Sequence, residues 1–262
     1  MCTLTLVDVV VRDNAGNNGG GIANTGSLTL KGNTRVRDNS AASYGGGVHS
    51  IFGVLTVGGS TVIEDNDADQ GGGLYLVGGT TVIGGTARIY GNAAPFGGGL
   101  NLVGGTLTLK DSALVDANFG AFGSAIYALA TLSQAARVVM LDRATVGPNT
   151  LGDGPGSAVA LVAFLAAATL QMSGFASVRG QATQSHPRSA AVLLLSYGPT
   201  ASLTMKGTST VTKNRLGTGW AAVVRWNSCP GATTKVVGAT ASRVNRNTPA
   251  TLRTDTTTAC PT

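Results

Sequence analysis

Apolar residues recur along this chain in pairs separated by one position. Leu28/Leu30, Leu55/Val57, Leu107/Leu109, Val138/Met140, Leu170/Met172 and Leu203/Met205 are examples, and Ile83 occupies the same slot in a further copy. Alternation over so short a span predicts a strand with one buried face. Each second member precedes an Asn or Gln that ends a second pattern, apolar-x-x-Asn. That pattern runs from Val11 to Asn14, Val36 to Asn39, Ile63 to Asn66, Ile89 to Asn92, Val115 to Asn118, Val146 to Asn149, Val178 to Gln181, Val211 to Asn214 and Val244 to Asn247. A third pattern, Gly-Gly-Gly-apolar, begins at Gly19, Gly45, Gly71 and Gly97, with a worn copy at Gly123-Ser124-Ala125-Ile126; the spacing is 26 residues throughout.

The three patterns keep phase, so the chain is an array of one repeat. Successive ends of the apolar-x-x-Asn pattern lie 25 to 27 residues apart up to Asn118 and 31 to 33 apart after it. Each repeat carries three strand signals and no long window with the 3.6 period of a helix. That is too short for a propeller blade, and it lacks the Leu spacing of a leucine-rich repeat. The expected fold is all-β, a right-handed parallel β-helix of about nine coils with three short strands each. Equivalent strands then stack about 4.8 Å apart. Residues 1–250 read as one domain, with regular coils to about residue 125 and longer coils after; residues 251–262 read as a Thr-rich tail.

Each motif has a physical reason. Ile22, Val48, Leu74, Leu100 and Ile126 are expected to pile into one inward column. The glycines mark a tight corner, where the backbone takes positive φ or approaches a neighbour closely. Asn14, Asn39, Asn66, Asn92, Asn118, Asn149, Asn214 and Asn247 are expected to form a structural ladder, because an amide side chain both donates and accepts along the stack. Gln181 continues it less well. A solenoid must cover the apolar edge of its end coil. The first coil starts at residue 3 without a cap. The chain is therefore expected to be a fragment, or to have that end covered by another domain or subunit.

Composition narrows the partners. Only 11% of residues are charged, which excludes long amphipathic helices with a charged face. The net charge is +6, but the basic residues are scattered singly, so no nucleic-acid partner is expected. The most apolar stretch, Ala158 to Leu170, is too short to cross a bilayer as a helix and reads as two strands and a turn. No transmembrane segment is expected, and the strand-like start has no charged region of a signal peptide. Cys229 and Cys260 each precede a proline. Their spacing leaves open a disulfide that pins the last segment, in an oxidising compartment, or two free thiols.

The Gly-Gly-apolar and apolar-x-x-Asn repeats resemble those of the polymorphic outer-membrane protein family, which pairs a Gly-Gly-Ala-apolar motif with Phe-x-x-Asn. They are also similar to the wider group of bacterial right-handed β-helix surface proteins in the pectate-lyase-like superfamily. The match covers about residues 1–150, with fainter coils to about 250. Here the third motif position is Gly, and Val or Ile replaces the Phe; the Thr-rich tail lacks the alternating strands of that family's membrane barrel. The resemblance implies an extracellular or outer-membrane-associated passenger-type module. Its expected role is structural or adhesive rather than catalytic, with a host or cell-surface glycan or protein as partner.

Two other readings follow from the fold. A polysaccharide lyase or glycosidase needs clustered or facing carboxylates. The candidate Ca²⁺ cluster is Asp38, Glu64, Asp65, Asp67 and Asp69, although it lacks an EF-hand or nonapeptide signature and reads more readily as a solvated corner beside Arg12 and Arg37. No catalytic residue and no cofactor is assigned. His49 and His186 fall in different coils without metal-ligand spacing. Tyr75 and Tyr127 are expected to point outward, Tyr75 as a lone surface aromatic. Ice binding is the third reading: Thr29, Thr56, Thr108 and Thr204 share one outward slot, but Val82, Val139, Gln171 and Val237 break the file.

Overall fold

The computed structural model describes residues 2–131, 134–152, 156–183, 190–214, 222–227, 232–238, 244–245, 247 and 252–256. Among these residues every regular element is a strand, and the long sheets are parallel throughout. The chain is a parallel β-helix. Sheet 1 begins with Thr3–Val7 and Ser27–Lys31, sheet 2 with Val10–Arg12 and Arg35–Arg37, and sheet 3 with Ile22–Asn24 and Val48–Ile51; each holds nine strands. Registers follow the repeat. Leu74 lies opposite Val48 on one side and Leu100 on the other, and Leu100 lies opposite Ile126.

A fourth ladder runs between the Asn corner and the Gly corner. Ala15–Asn18, Ser40–Tyr44 and Asp67–Gln70 form a short parallel sheet, and bridges carry it on through Ala93 and Phe96 to Phe119 and Phe122. Phe119–Gly120, Thr150–Leu151 and Ala182–Thr183 continue it in later coils, so three strands per coil is an understatement. The early segments are small and polar, so they carry no apolar alternation to read.

The core is a set of columns. Leu28, Leu30, Leu55, Val57, Leu107 and Leu109 fill the sheet 1 side, and Val36, Ile63, Ile89, Val115 and Val146 fill the sheet 2 side, all within one buried cluster. Each inward side chain meets the coils above and below it, so stability accumulates coil by coil. At the first coil the outer edges of Thr3–Val7, Val10–Arg12 and Ile22–Asn24 pair with no described strand, and Leu4, Val7 and Val10 are exposed.

At the corner after sheet 2 the Asn side chains form one continuous ladder. Asn14, Asn39, Asn66, Asn92 and Asn118 each donate Nδ2–H to the Oδ1 of the Asn in the next coil, at 2.9 to 3.0 Å. The same Oδ1 also accepts the backbone N–H of the preceding Asn, at 3.0 to 3.1 Å. The second amide proton satisfies corner carbonyls, as Asn92 does for Ile63 and Tyr90. Gln181 takes over with an extra methylene. It accepts from the Asn149 backbone at 2.9 Å and from Asn149 Nδ2 at 3.5 Å, while its own Nε2 turns to Val146, Gly147 and Arg179 carbonyls. The Asn214–Asn247 pair restores the side-chain contact at 2.9 Å.

The residue before most ladder positions sits in the left-handed region: Asp13, Asp38, Asp65, Ala117 and Lys213 have φ between 53° and 58°, and Gly91 and Gly180 join them, whereas Pro148 precedes Asn149. Aspartate tolerates that region better than most residues, which explains three of the five. The Gly corner is tighter still. Gly71 has φ +64°, and a Cβ on Gly72 would stand 2.3 Å from the Ala93 carbonyl oxygen. In the coil after Gly97-Gly98-Gly99, Ser124 and Ala125, both fully buried, replace the second and third glycines, and Gly123 keeps the positive φ.

The ladder makes a stability prediction. Asn92→Ala strands the Asn66 backbone N–H and side-chain amide as well as two carbonyls, and each such buried group costs about 1–3 kcal/mol. Urea unfolding of Asn92→Ala should therefore show a loss of about 3 kcal/mol or more. A loss under about 1 kcal/mol would contradict the ladder's role.

Candidate functional site

With the inward positions committed to the core, chemistry is left to the outward side chains, and the three sheets differ in it. Sheet 1 presents two parallel files of β-branched and hydroxyl residues. Register places Thr5, Thr29, Thr56, Val82 and Thr108 in one file and Thr3, Ser27, Val54, Thr80 and Thr106 in the other. The Thr array expected as a broken single file is thus paired with a second one over the first five coils.

Sheet 2 is the charged face, and its charges are taken in pairs across coils. Arg35 meets Glu64 at 2.6 Å, and Arg88 holds Asp116 through two hydrogen bonds of 2.6 and 2.7 Å. The bond to Asp116 raises the Arg88 pKa, and its guanidinium also lies 4.0 Å from the Tyr90 ring centre. Arg37 pairs with Asp38. These pairings engage two members of the candidate Ca²⁺ cluster. Glu64 and Asp38 face arginines, Asp65 sits in the left-handed turn, and Asp67 and Asp69 belong to the fourth ladder on the far side of that turn. Among the described residues no three His, Cys, Asp or Glu side chains converge as metal ligands would. Burial raises the Asp65 pKa, with Glu64 and Asp38 adding to it and Arg37 opposing; burial and Asp69 raise that of Asp67.

Sheet 3 is the aromatic face. Its outward column reads His49, Tyr75, Asn101, Tyr127, Ala160 and Leu193. Beside it runs the last position of the fourth ladder: Tyr44, Gln70, Phe96 and Phe122. The two columns meet. Tyr44 stacks on Tyr75 with ring centres 4.5 Å apart, and His49 lies 5.4 Å from Tyr75. Tyr75 is therefore buried in a cluster and is not the lone surface aromatic expected from sequence. Burial lowers the His49 pKa; burial, then Tyr44, raises that of Tyr75. Asn101 is fully buried, and its Nδ2 donates to Gln70 Oε1 at 3.2 Å.

Farther along the axis the face becomes apolar and concave. A cleft of about 830 Å³ is lined by Phe96, Phe122, Tyr127, Leu129, Thr131, Ala160, Val162, Phe164, Leu165, Leu193, Leu195 and Tyr197. Its floor is three adjacent strands, Ile126–Ala130, Ser157–Ala163 and Ala190–Ser196, whose registers set Leu129, Val162 and Leu195 in line. One wall is Phe96 stacked on Phe122 at 5.4 Å, with Tyr127 edge-on to Phe96 at 5.5 Å. The other is Phe164 and Leu165 with Tyr197, whose ring meets Phe164 edge-on at 5.4 Å. Ser157–Ala163 is buried on both faces, inward by the core and outward beneath the cleft, which explains its unbroken apolar run. Burial, with a smaller contribution from Tyr197, pushes the Tyr127 pKa up to about 12.

Cys229, Cys260 and His186 lie outside the described residues, as do residues 153–155 and 184–189. Cys2 is exposed and free. No described helix is long and apolar enough to cross a membrane. Comparison with protein-family models, curated proteins and solved structures gave no match to the chain.

The Tyr127 environment gives a pH prediction. Its folded pKa of about 12 lies above the ordinary 10, so the neutral phenol is favoured in the fold. Its stabilising contribution is complete below pH 10 and is lost as pH rises from 10 through about 12. Titration of tyrosinate absorbance should show a late-ionising tyrosine that disappears in Tyr127→Phe. An unchanged titration curve in that variant would refute the burial.

Proposed function

We propose that the chain is a non-catalytic β-helix module, secreted or carried on a bacterial surface in association with the outer membrane, that holds a partner on the outward face of sheet 3. The cleft is the observation that carries this reading. Its described lining is aromatic and aliphatic with one threonine, and holds no carboxylate, histidine, lysine or arginine. Acid–base catalysis needs a titrating group poised near the working pH. The only titrating groups among the described lining residues are Tyr127 and Tyr197, and Tyr127 is held neutral. Recognition needs concave apolar area with a few polar groups, which the cleft supplies. The resemblance of the Gly-Gly-apolar and apolar-x-x-Asn repeats to the polymorphic outer-membrane proteins adds the surface location, the adhesive role and a cell-surface glycan or protein as partner class.

A second reading, ice binding, is favoured by the paired Thr files of sheet 1, which set hydroxyl and methyl groups at the strand spacing of about 4.8 Å. Ice-recrystallisation assays on the chain and on Thr56→Lys decide it: inhibition lost in the variant supports the reading, and absence of inhibition removes it.

The principal reading is tested with a panel of acidic and neutral polysaccharides and with intact cells. The chain should release no unsaturated or reducing-end products. It should be retained on cells that display the partner, and Phe164→Ser should weaken that retention. Product release from any polymer would replace the binding role with the lyase or glycosidase one.

A further inference from the structure

We infer that the sheet 3 cleft takes an uncharged, largely apolar ring compound, which narrows the glycan-or-protein partner class to one presenting such rings and excludes a plain sugar chain from the cleft; this rests on reading the cleft as a binding site. Size is the first argument. About 830 Å³ falls within the roughly 300–1,000 Å³ of small-molecule sites and is enough to enclose several fused or linked rings.

Charge is the second argument. The chain carries a net +6, yet none of its lysines or arginines and none of its carboxylates is among the described lining residues. A charged ligand would lose hydration there and gain no partner, a cost that selects for a neutral one. Among the described basic residues, Arg35, Arg37 and Arg88 lie on sheet 2 and are already paired with carboxylates.

Shape is the third argument. The walls are rings already arranged as aromatic pairs prefer, one stacked and two edge-on. A further ring between Phe122 and Phe164 would continue offset-stacked or edge-to-face packing. The floor of Leu129, Val162 and Leu195 offers a ring face an aliphatic surface with no group to repel it. Tyr127, Tyr197 and Thr131 provide the only hydroxyls of the described lining side chains. Three hydroxyls suit one or two polar substituents on a ring and would leave a sugar chain's many hydroxyls unpaired.

The test is a fluorescence titration of the full chain with N-phenyl-1-naphthylamine, a neutral two-ring probe. Saturable binding at one site per chain is expected. Phe164→Ser and Leu165→Glu, both at exposed positions, should weaken it about tenfold while circular dichroism stays that of the parent. Thr56→Glu, on sheet 1, should leave it unchanged. Excess decanoate and cellohexaose should not displace the probe. No saturable binding by the folded chain, equal binding by the two cleft variants, or displacement by either competitor would overturn the inference. Cell retention that persists and remains sensitive to Phe164→Ser when the probe fails to bind would sink the ligand class alone. Loss of both would sink the binding reading with it.

Discussion

A buried amide has four hydrogen-bonding sites to satisfy, and in this chain one amide per coil satisfies them by passing the bond along. Asn39, Asn66, Asn92 and Asn118 are almost fully buried at a corner that also contains left-handed backbone. Each accepts two bonds from the coil before and donates to the coil after and to corner carbonyls. The arrangement resists a shift in register, because sliding one coil by a residue would break its amide's bonds to both neighbouring coils. Apolar columns supply the favourable free energy of stacking; the ladder decides which stacking is the native one. The Gly corner adds a steric limit, since any Cβ at Gly46, Gly72 or Gly98 would meet backbone of the neighbouring coil within 2.4 Å.

That constraint shapes where function can lie. With the inward positions and two corners committed to structure, specificity is left to outward columns, and each sheet carries its own kind. Hydroxyl and β-branched groups gather on sheet 1, paired charges on sheet 2, and aromatic rings on sheet 3. The cleft arises where the coils lengthen. Added residues after the sheet 3 strands bring Phe164, Leu165 and Tyr197 up as a second wall facing Phe96 and Phe122. A regular coil could not form it, since the early turns at that corner are short and glycine-rich, as at Gly78-Gly79 and Gly104-Gly105.

The scaffold was legible because it repeats. Nine aligned positions expose the ladder, and a 26-residue step exposes the Gly corner. Half of the cleft was legible in the same way: Tyr44, Gln70, Phe96 and Phe122 each stand immediately before a Gly motif, so their side chains must stack in file. The other half was not. Phe164 and Tyr197 lie in coils whose lengths differ from the early ones, and no period says which wall they face. The acidic cluster shows the limit of reading along the chain. Glu64, Asp65, Asp67 and Asp69 are neighbours in sequence, but a left-handed turn at Asp65 separates Glu64, which Arg35 of the preceding coil takes, from Asp67 and Asp69, which share one face of the fourth ladder. Proximity along a solenoid's chain means less than proximity across coils.

The central claim is that a closed amide ladder holds the coils in register, and hydrogen exchange of the Asn side-chain amides tests it directly. Resonances of the NH₂ groups of Asn39, Asn66, Asn92 and Asn118 should exchange with solvent slower by several orders of magnitude than those of the exposed Asn17 and Asn33. Comparable rates in the two sets would mean that water reaches the corner and that the ladder does not hold the stack.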